Sequence, residues 1–505
     1  MGSLPLELFR PLDPESLSKE FMAVVDFIAD YYREVELFPV SSPVNPGYLR
    51  QLLPAAASTF SEPIGAVLDD IKSCILPGLT HWQSPNFFGY FPATASTAGL
   101  LGEILCGGLN VVGFSWVASP AVTELETIVM DWMARLLELP AAFLSPGDCG
   151  FGGGGVIHGS TCEAVVCTLA AARDRALSRP GSRGRIDRLT VYASDQTHFT
   201  VQKAAKLVGI PPANFRVIPT SAASGYGLTA GGVRSAMAAD SANGFEPVYL
   251  CGTVGTTAVG AVDPLPELGE VATEFGVWFH VDAAYAGSAC IFPEFRGYLA
   301  GVVKADSFSM NPHKWLLSNM DCCCLWVQSS AALVDSLSTK PEILRNVVDY
   351  KDWQIALSRR FRALKLWVVM RKIGAANLME HIRSDVAMAK HFERLVEMDS
   401  RFEVSAERRF ALVCFRLKPT AGGGADVNRR LLEAVNGSGR AFMTHAVVGG
   451  EFVLRFAVGA TLTELRHVEA AWRLIQEKAG ELLMMIRLEN RDDGDGNESN
   501  DHGIH

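Results

Sequence analysis

No apolar run in these 505 residues is long enough to span a bilayer, which excludes a helical membrane anchor within them. Positive charge is in deficit: 45 Lys and Arg against 55 Asp and Glu leave a net charge of −10, which argues against a nucleic-acid or acidic-membrane surface. No Gly-Lys-Ser/Thr follows the glycine-rich stretches, and the spaced glycines of a dinucleotide fold are missing too. The start carries neither a leader nor a myristoylation pattern, since Leu6 stands where Ser or Thr is wanted, so the expected location is cytoplasmic. No internal repeat appears. Eleven cysteines include Cys322-Cys-Cys324; neighbours on a strand face opposite ways and do not converge on one metal, so free thiols and no metal are expected.

What the chain does have is Asn311-Pro-His-Lys-Trp315. Lys314 follows the apolar, serine-rich stretch Ala305 to Met310 and precedes Trp315, Leu316 and Leu317. An ammonium in such surroundings is costly, and a lysine so placed tends to lose its proton. A neutral lysine forms a Schiff base with an aldehyde, and the common biological aldehyde for that purpose is pyridoxal phosphate. A lysine snorkelling to the surface is the plainer alternative.

Three further stretches bear on that choice. Val277-Trp-Phe-His280 reads as a buried strand, with Asp282 where it should end. A carboxylate there, followed by small residues, suits a protonated pyridine nitrogen, although a lone Asp more often caps a loop. Gly152 to Gly155, Val156-Ile-His158 and Gly159-Ser-Thr-Cys162 read as a glycine- and hydroxyl-rich turn entering a helix. Such a turn presents free N–H groups to a phosphate, and a plain Ser/Thr cap explains it almost as well. His198 offers an imidazole that can stack on a ring, or is an ordinary half-buried histidine.

The order of these signals resembles that of the group II amino-acid decarboxylases. His81-Trp-Gln-Ser-Pro85, Gly89-Tyr-Phe-Pro92, Phe114-Ser-Trp116, His280-Val-Asp-Ala-Ala-Tyr-Ala-Gly287 and Asp349-Tyr-Lys-Asp-Trp-Gln354 extend the likeness to the plant aromatic L-amino-acid decarboxylases. That family includes tyrosine/dopa and tryptophan decarboxylases and aromatic aldehyde synthases. The resemblance covers residues 5–487 and implies an α/β fold of the type I pyridoxal-phosphate class. It implies that Lys314 carries the cofactor, Asp282 holds the pyridine nitrogen and His198 stacks on the ring. Thr161, Cys162, Thr257, Asn311 and His313 complete the implied cofactor contacts, with His313 also a candidate proton relay. Trp82, Tyr90, Phe91, Pro92 and Phe114 resemble the family's aromatic substrate pocket. Ser358 stands where the family carries Ser for phenolic and Gly for indolic substrates, which favours tyrosine and dopa over tryptophan.

One departure bears on the product. Where the family has a loop tyrosine that returns a proton to the substrate carbon, this chain has Ile343, in a loop that looks shorter than its relatives'. The aldehyde synthases carry phenylalanine there, so an aldehyde with ammonia and peroxide is the alternative to an amine. An aminotransferase of the same fold would need an arginine for a second carboxylate, and the intact Lys314, Asp282 and His198 count against a crippled paralogue.

Helical periodicity broken by prolines marks residues 1–95 as a helical segment whose apolar stripe (Phe21, Val24, Val25, Ile28, Tyr31 and Tyr32) is too rich for a lone solvated helix, and the resemblance implies that it is the dimerisation segment of a homodimer. Helices then alternate with short β-rich runs at 189–192, 247–250, 277–280 and 324–327, which predicts a mostly parallel sheet over residues 96–375. Arg359 to Ile373 reads as one amphipathic helix. A smaller α+β domain is expected over 376–487, and the polar, acidic tail 488–505 is expected to be disordered.

Overall fold

The computed structural model describes residues 10–146, 152–339, 348–419 and 424–495, with side chains as far as 489. Contacts divide the chain into two compact units, one of 88–429 and 444–461, the other of the residues up to 87, 430–443 and those from 462.

The larger unit is built on seven strands: β1 (Gly154–His158), β2 (Leu189–Ser194), β3 (Phe215–Ile218), β4 (Glu246–Thr253), β5 (Trp278–Asp282), β6 (Ser307–Met310) and β7 (Cys323–Val327). Their order is β1-β7-β6-β5-β4-β2-β3. Pairing is parallel from β6 through β5, β4 and β2 to β3, and β7 runs antiparallel to both β6 and β1. The near-continuous apolar strands fit a sheet buried on both faces. Helix Thr161–Leu177 lies against it through Ala164, Val165, Ala171 and Ala172, whose small side chains permit close approach. Because six strands point the same way, the segments leaving β1, β2, β4, β5 and β6 gather at one edge, where open α/β sheets bind ligands.

The four anticipated strands are present. The glycine run is not wholly a turn: Gly154 onward is β1, and only residues 159–162 turn into the helix. Glycine is needed there for packing, since a Cβ on Gly155 would lie 2.4 Å from Met130 Cε and 2.8 Å from the Trp326 ring. The helix expected at Arg359 begins at Arg362 and runs to Met398, with a break at Gly374 (φ 78°). It starts late because Phe361 leaves helical geometry (ψ 56°), while the Arg359 side chain turns inward to Glu126. A second, antiparallel sheet of order β10-β11-β9-β8 comprises β8 (Phe402–Val404), β9 (Leu412–Leu417), β10 (Thr444–Val448) and β11 (Glu451–Ala457).

In the other unit, helix Pro14–Glu34 starts at Asp13, whose carboxylate accepts the Ser16 N–H at 3.2 Å. None of its residues is buried, and Phe21, Met22 and Val25 lie exposed. The last helix runs from Leu465 to Asp495, past residue 488 where disorder was expected to begin. Extending a formed helix costs far less than nucleating one, so the polar composition did not end it. Residues 496–505 lie outside the described ones. No helix among the described residues is long and apolar enough to cross a membrane.

Candidate active site

A cavity of about 220 Å³ opens at the edge where the strands end, and Lys314, Asp282, His198, Asn311, His313, Thr161, Cys162 and Thr257 all border it. They arrive on five segments: Ser160 to Cys162 after β1, His198 after β2, Thr257 after β4, Asp282 at the end of β5, and Asn311 to Lys314 after β6. Gly255 makes the turn after β4 possible. Its φ is +88°, and a Cβ there would stand 2.6 Å from that of Ala286.

Lys314 sits in the short helical turn Pro312–Trp315. Burial lowers its pKa, while the nearby Asp282 and Cys323 pull the other way. Its Nζ lies 5.8 Å from the Phe91 ring centre. Phe91 stacks on Tyr285 at 3.7 Å, and Tyr285 on Trp315 at 4.9 Å. Trp315 is anchored by its Nε1–H to Asp385 at 2.8 Å, so the wall beside the lysine is rigid and apolar. This is the setting that favours the amine over the ammonium.

Asp282 is buried, and one of its oxygens accepts the Ala284 N–H at 2.9 Å. The His198 Nδ1 accepts the Thr200 N–H at 3.2 Å and lies 2.9 Å from the Thr200 hydroxyl, which leaves the ring proton on Nε2. Burial, then the charge of Lys314, lower the His198 pKa, so the ring is neutral and suited to stacking. The His313 Nδ1 is held between the Cys322 C=O at 2.7 Å and its N–H at 3.0 Å. Burial pushes its pKa down to about 4. Asn311 and the Thr161 hydroxyl are hydrogen-bonded at 2.8 Å, which ties the lysine turn to the helix start. That start is capped by Ser160, which accepts the Glu163 N–H at 3.4 Å, and the Glu163 carboxylate takes the Gly159 N–H at 2.7 Å.

The substrate residues divide. Phe91 lines the cavity, whereas Tyr90 is exposed at φ +51° and Pro92 packs against Gly459. Phe114 and Ser358 stand elsewhere in the larger unit, and Trp82 belongs to the other unit, where its ring packs 4.6 Å from Phe87. Ile343 lies outside the described residues.

Thr200, Tyr285 and Arg455 were missed. Thr200 and Tyr285 fall inside stretches that were singled out, but a hydroxyl that orients a histidine leaves no mark of its own. Arg455 is buried, and among the described residues no carboxylate pairs with it. It donates to the Tyr90 C=O at 3.2 Å, the Ala258 C=O at 3.0 Å and the Thr444 hydroxyl at 2.9 Å, and it lies 5.3 Å from the Phe91 ring. The one sequence signal was an arginine inside the apolar strand β11.

A larger recess of about 560 Å³ in the other unit is bordered by Glu36, Arg440, Arg466 and Arg473. Two of those arginines already face carboxylates, Glu36 and Glu477, and the buried His467 beside them is taken up by Glu36 at 3.2 Å. It is the smaller cavity that the expected cofactor residues border.

A partly buried amine, a buried carboxylate, a neutral ring and a hydroxyl-lined helix start suit an aldehyde, a pyridine nitrogen, a flat ring and a phosphate in turn. The donor set therefore fits pyridoxal phosphate. Residues 46–418 match the pyridoxal-dependent decarboxylase conserved domain, and the chain belongs to that family of pyridoxal-phosphate-dependent carboxy-lyases. It is 56% identical over 510 residues to a phenylacetaldehyde synthase of a Rosa hybrid cultivar, covering 96% of this chain and 99% of that one. It is 53% identical to a tyrosine decarboxylase of Papaver somniferum, covering 96% and 100%. Among solved structures, Oryza sativa TDC with PLP and tryptamine superposes with a TM-score of 0.91 at 50% identity, over 94% of this chain and all of that one. A Rhodiola rosea 4-hydroxyphenylacetaldehyde synthase gives 0.90 at 52% identity over the same shares. The fold is thus the type I fold of the pyridoxal-phosphate enzymes, and the group of relatives is that of aromatic amino-acid decarboxylases and aldehyde synthases.

Proposed function

We propose that this protein removes CO2 from aromatic L-amino acids, with tyrosine and dopa ahead of tryptophan, and releases the aromatic amine. The observation that carries the reading is Lys314, a partly buried lysine whose pKa desolvation lowers and which borders one cavity with Asp282 and His198. When bound, pyridoxal phosphate supplies an electron sink for the pair left as CO2 departs. Lys314 would hold it covalently and, once displaced by substrate, remain beside the reacting carbon as an amine able to carry a proton. Asp282 would keep the pyridine nitrogen protonated, and the neutral His198 ring would cover one face. The N–H groups and hydroxyls of Thr161, Cys162 and Thr257 would take the phosphate, with Asn311 holding Thr161 in place. The Phe91–Tyr285–Trp315 wall would exclude water and accept the substrate's ring.

Ile343 supports a second product. Without a phenol at that position, the proton owed to the reacting carbon must come from water, Lys314 or His313, in competition with dioxygen. Oxygen capture would give aldehyde, CO2, ammonia and hydrogen peroxide from the amino acid, O2 and water. The relatives named as tyrosine decarboxylases and as phenylacetaldehyde synthases bracket both outcomes. Incubating the pure protein with tyrosine, dopa, phenylalanine and tryptophan and measuring CO2, amine, aldehyde and peroxide tests the reading. CO2 release from none of them would overturn it.

A further inference from the structure

Phe114 and Ser358 are two of the residues expected to meet substrate, yet neither borders the cavity of its own chain. They share one lobe instead. The Gly113 N–H donates to the Arg359 C=O at 3.3 Å, the Lys351 N–H to the Phe114 C=O at 3.0 Å, and the Trp116 N–H to an Asp349 oxygen at 2.9 Å. The lobe's rim is apolar and exposed: Ile355 is 57% and Leu357 65% exposed, both within the 355–358 turn that ends in Ser358.

Under that rim lies a buried polar chain. The Glu126 and Arg359 side chains are 0% and 1% exposed and meet at 2.6 Å. Arg359 also donates to the Ile157 C=O at 3.2 Å and, through Nε, to the Gln354 side-chain oxygen at 2.8 Å. The other end of that amide donates to the C=O groups of Ala356 and, at 3.4 Å, of Ser358. One side-chain amide thus holds both carbonyls that shape the 355–358 turn, and its own position is set by an ion pair anchored beside β1.

A buried ion pair is weak evidence of stability, because desolvating two charges cancels much of their attraction; fixing one geometry is the better-attested use. Gln354 contributes little beyond such geometry, since its donors reach only the turn. We propose that Gln354, aligned by the Glu126–Arg359 pair, is a positioning residue for substrate selectivity: it fixes the Ser358 hydroxyl and its apolar neighbours relative to Phe114, so that the lobe ranks phenolic against indolic side chains. The proposal rests on the aromatic decarboxylase reading and on a second copy of the chain receiving the lobe at its cavity.

Gln354→Glu separates this role from a merely structural one. The carboxylate still accepts from Arg359 but has no donor for Ala356 and Ser358. In the full-length holoenzyme, the ratio of kcat/KM for tyrosine to that for tryptophan is expected to fall at least about fivefold, the lower end for two lost hydrogen bonds. Amide hydrogen exchange in 355–358 should quicken, while the cofactor's visible absorbance stays as in the wild type. Should Gln354→Glu fail to fold, Gln354→Met, which keeps the length and removes both donors together with the acceptor for Arg359, is expected to give the same two changes. A ratio within twofold of the wild type in a folded variant overturns the proposal, whatever the exchange shows. If the wild-type protein releases CO2 from neither amino acid, the functional reading fails instead; exchange in the turn then still reads the clamp, and unchanged exchange overturns that as well.

Discussion

Gly155→Ala decides between two reasons for the glycine run, a phosphate cradle and tight packing. A Cβ at this position would meet Met130 Cε at 2.4 Å and the Trp326 ring at 2.8 Å. Met130 can bend away, but Trp326 is fully buried and its Nε1–H is bonded to the Met130 C=O at 3.2 Å. Overpacking of this kind costs about 1–3 kcal/mol. The smaller entropy of an unfolded alanine returns about 0.4–1 kcal/mol. The net expectation is a loss of about 1–2 kcal/mol, with cofactor affinity unchanged because β1 does not reach the cavity. Denaturant unfolding of the holoprotein measures the first quantity, and titration of the apoprotein with pyridoxal phosphate the second. Unaltered stability together with weakened cofactor binding would refute the packing argument and restore the cradle.

The remaining predictions concern product, pH and assembly. Ile343→Tyr should shift the products from aldehyde and peroxide towards amine, since a placed general acid is worth about two to four powers of ten in rate; wild-type protein that makes amine alone, with no oxygen uptake, would show that another group is the acid. Burial holds the pKa values of His280 and His313 at about 4 and that of His158 at about 3, against an ordinary 6.5. Below pH 6.5 the unfolded chain binds protons that the folded chain refuses, so stability should fall from pH 6.5 towards 4 and lie level above 7 as far as these groups are concerned. Thermal unfolding at pH 8, 6 and 4.5 tests this, and a midpoint unchanged across the series would contradict the buried, neutral assignment. The exposed stripe of Phe21, Met22 and Val25 predicts a homodimer; a fully active 54.6 kDa monomer in sedimentation at micromolar concentration would overturn that and the lobe's expected place at a second cavity.

The site residues were legible because their chemistry is local. A lysine between an apolar, serine-rich stretch and a tryptophan, or a carboxylate ending an apolar run, announces a costly charge from its neighbours alone. The mostly parallel sheet was legible from the spacing of β2, β4, β5 and β7, although β7 itself runs antiparallel to its neighbours. The strand β1 was not, because glycines forced by Met130, Trp326 and the Ala142 backbone look the same in a sequence as glycines that make a turn. Nor was β6, where Ser307 and Ser309 read as polar but are buried, with Ser307 bonded to Trp278 and His280 and Ser309 to His280. Arg455 and the Glu126–Arg359–Gln354 chain depend on residues far apart in sequence, which no local pattern records. Phe114 and Ser358 came from the family resemblance alone, which does not tell where the fold puts them.

The central claim is that Lys314 carries the cofactor, and reduction with borohydride followed by peptide mapping tests it most directly. The account predicts one stable pyridoxyl label, on Lys314 in the peptide that contains Asn311-Pro-His-Lys-Trp315, and loss of both label and turnover in Lys314→Ala. A label on any other lysine, or turnover retained by Lys314→Ala, would contradict it.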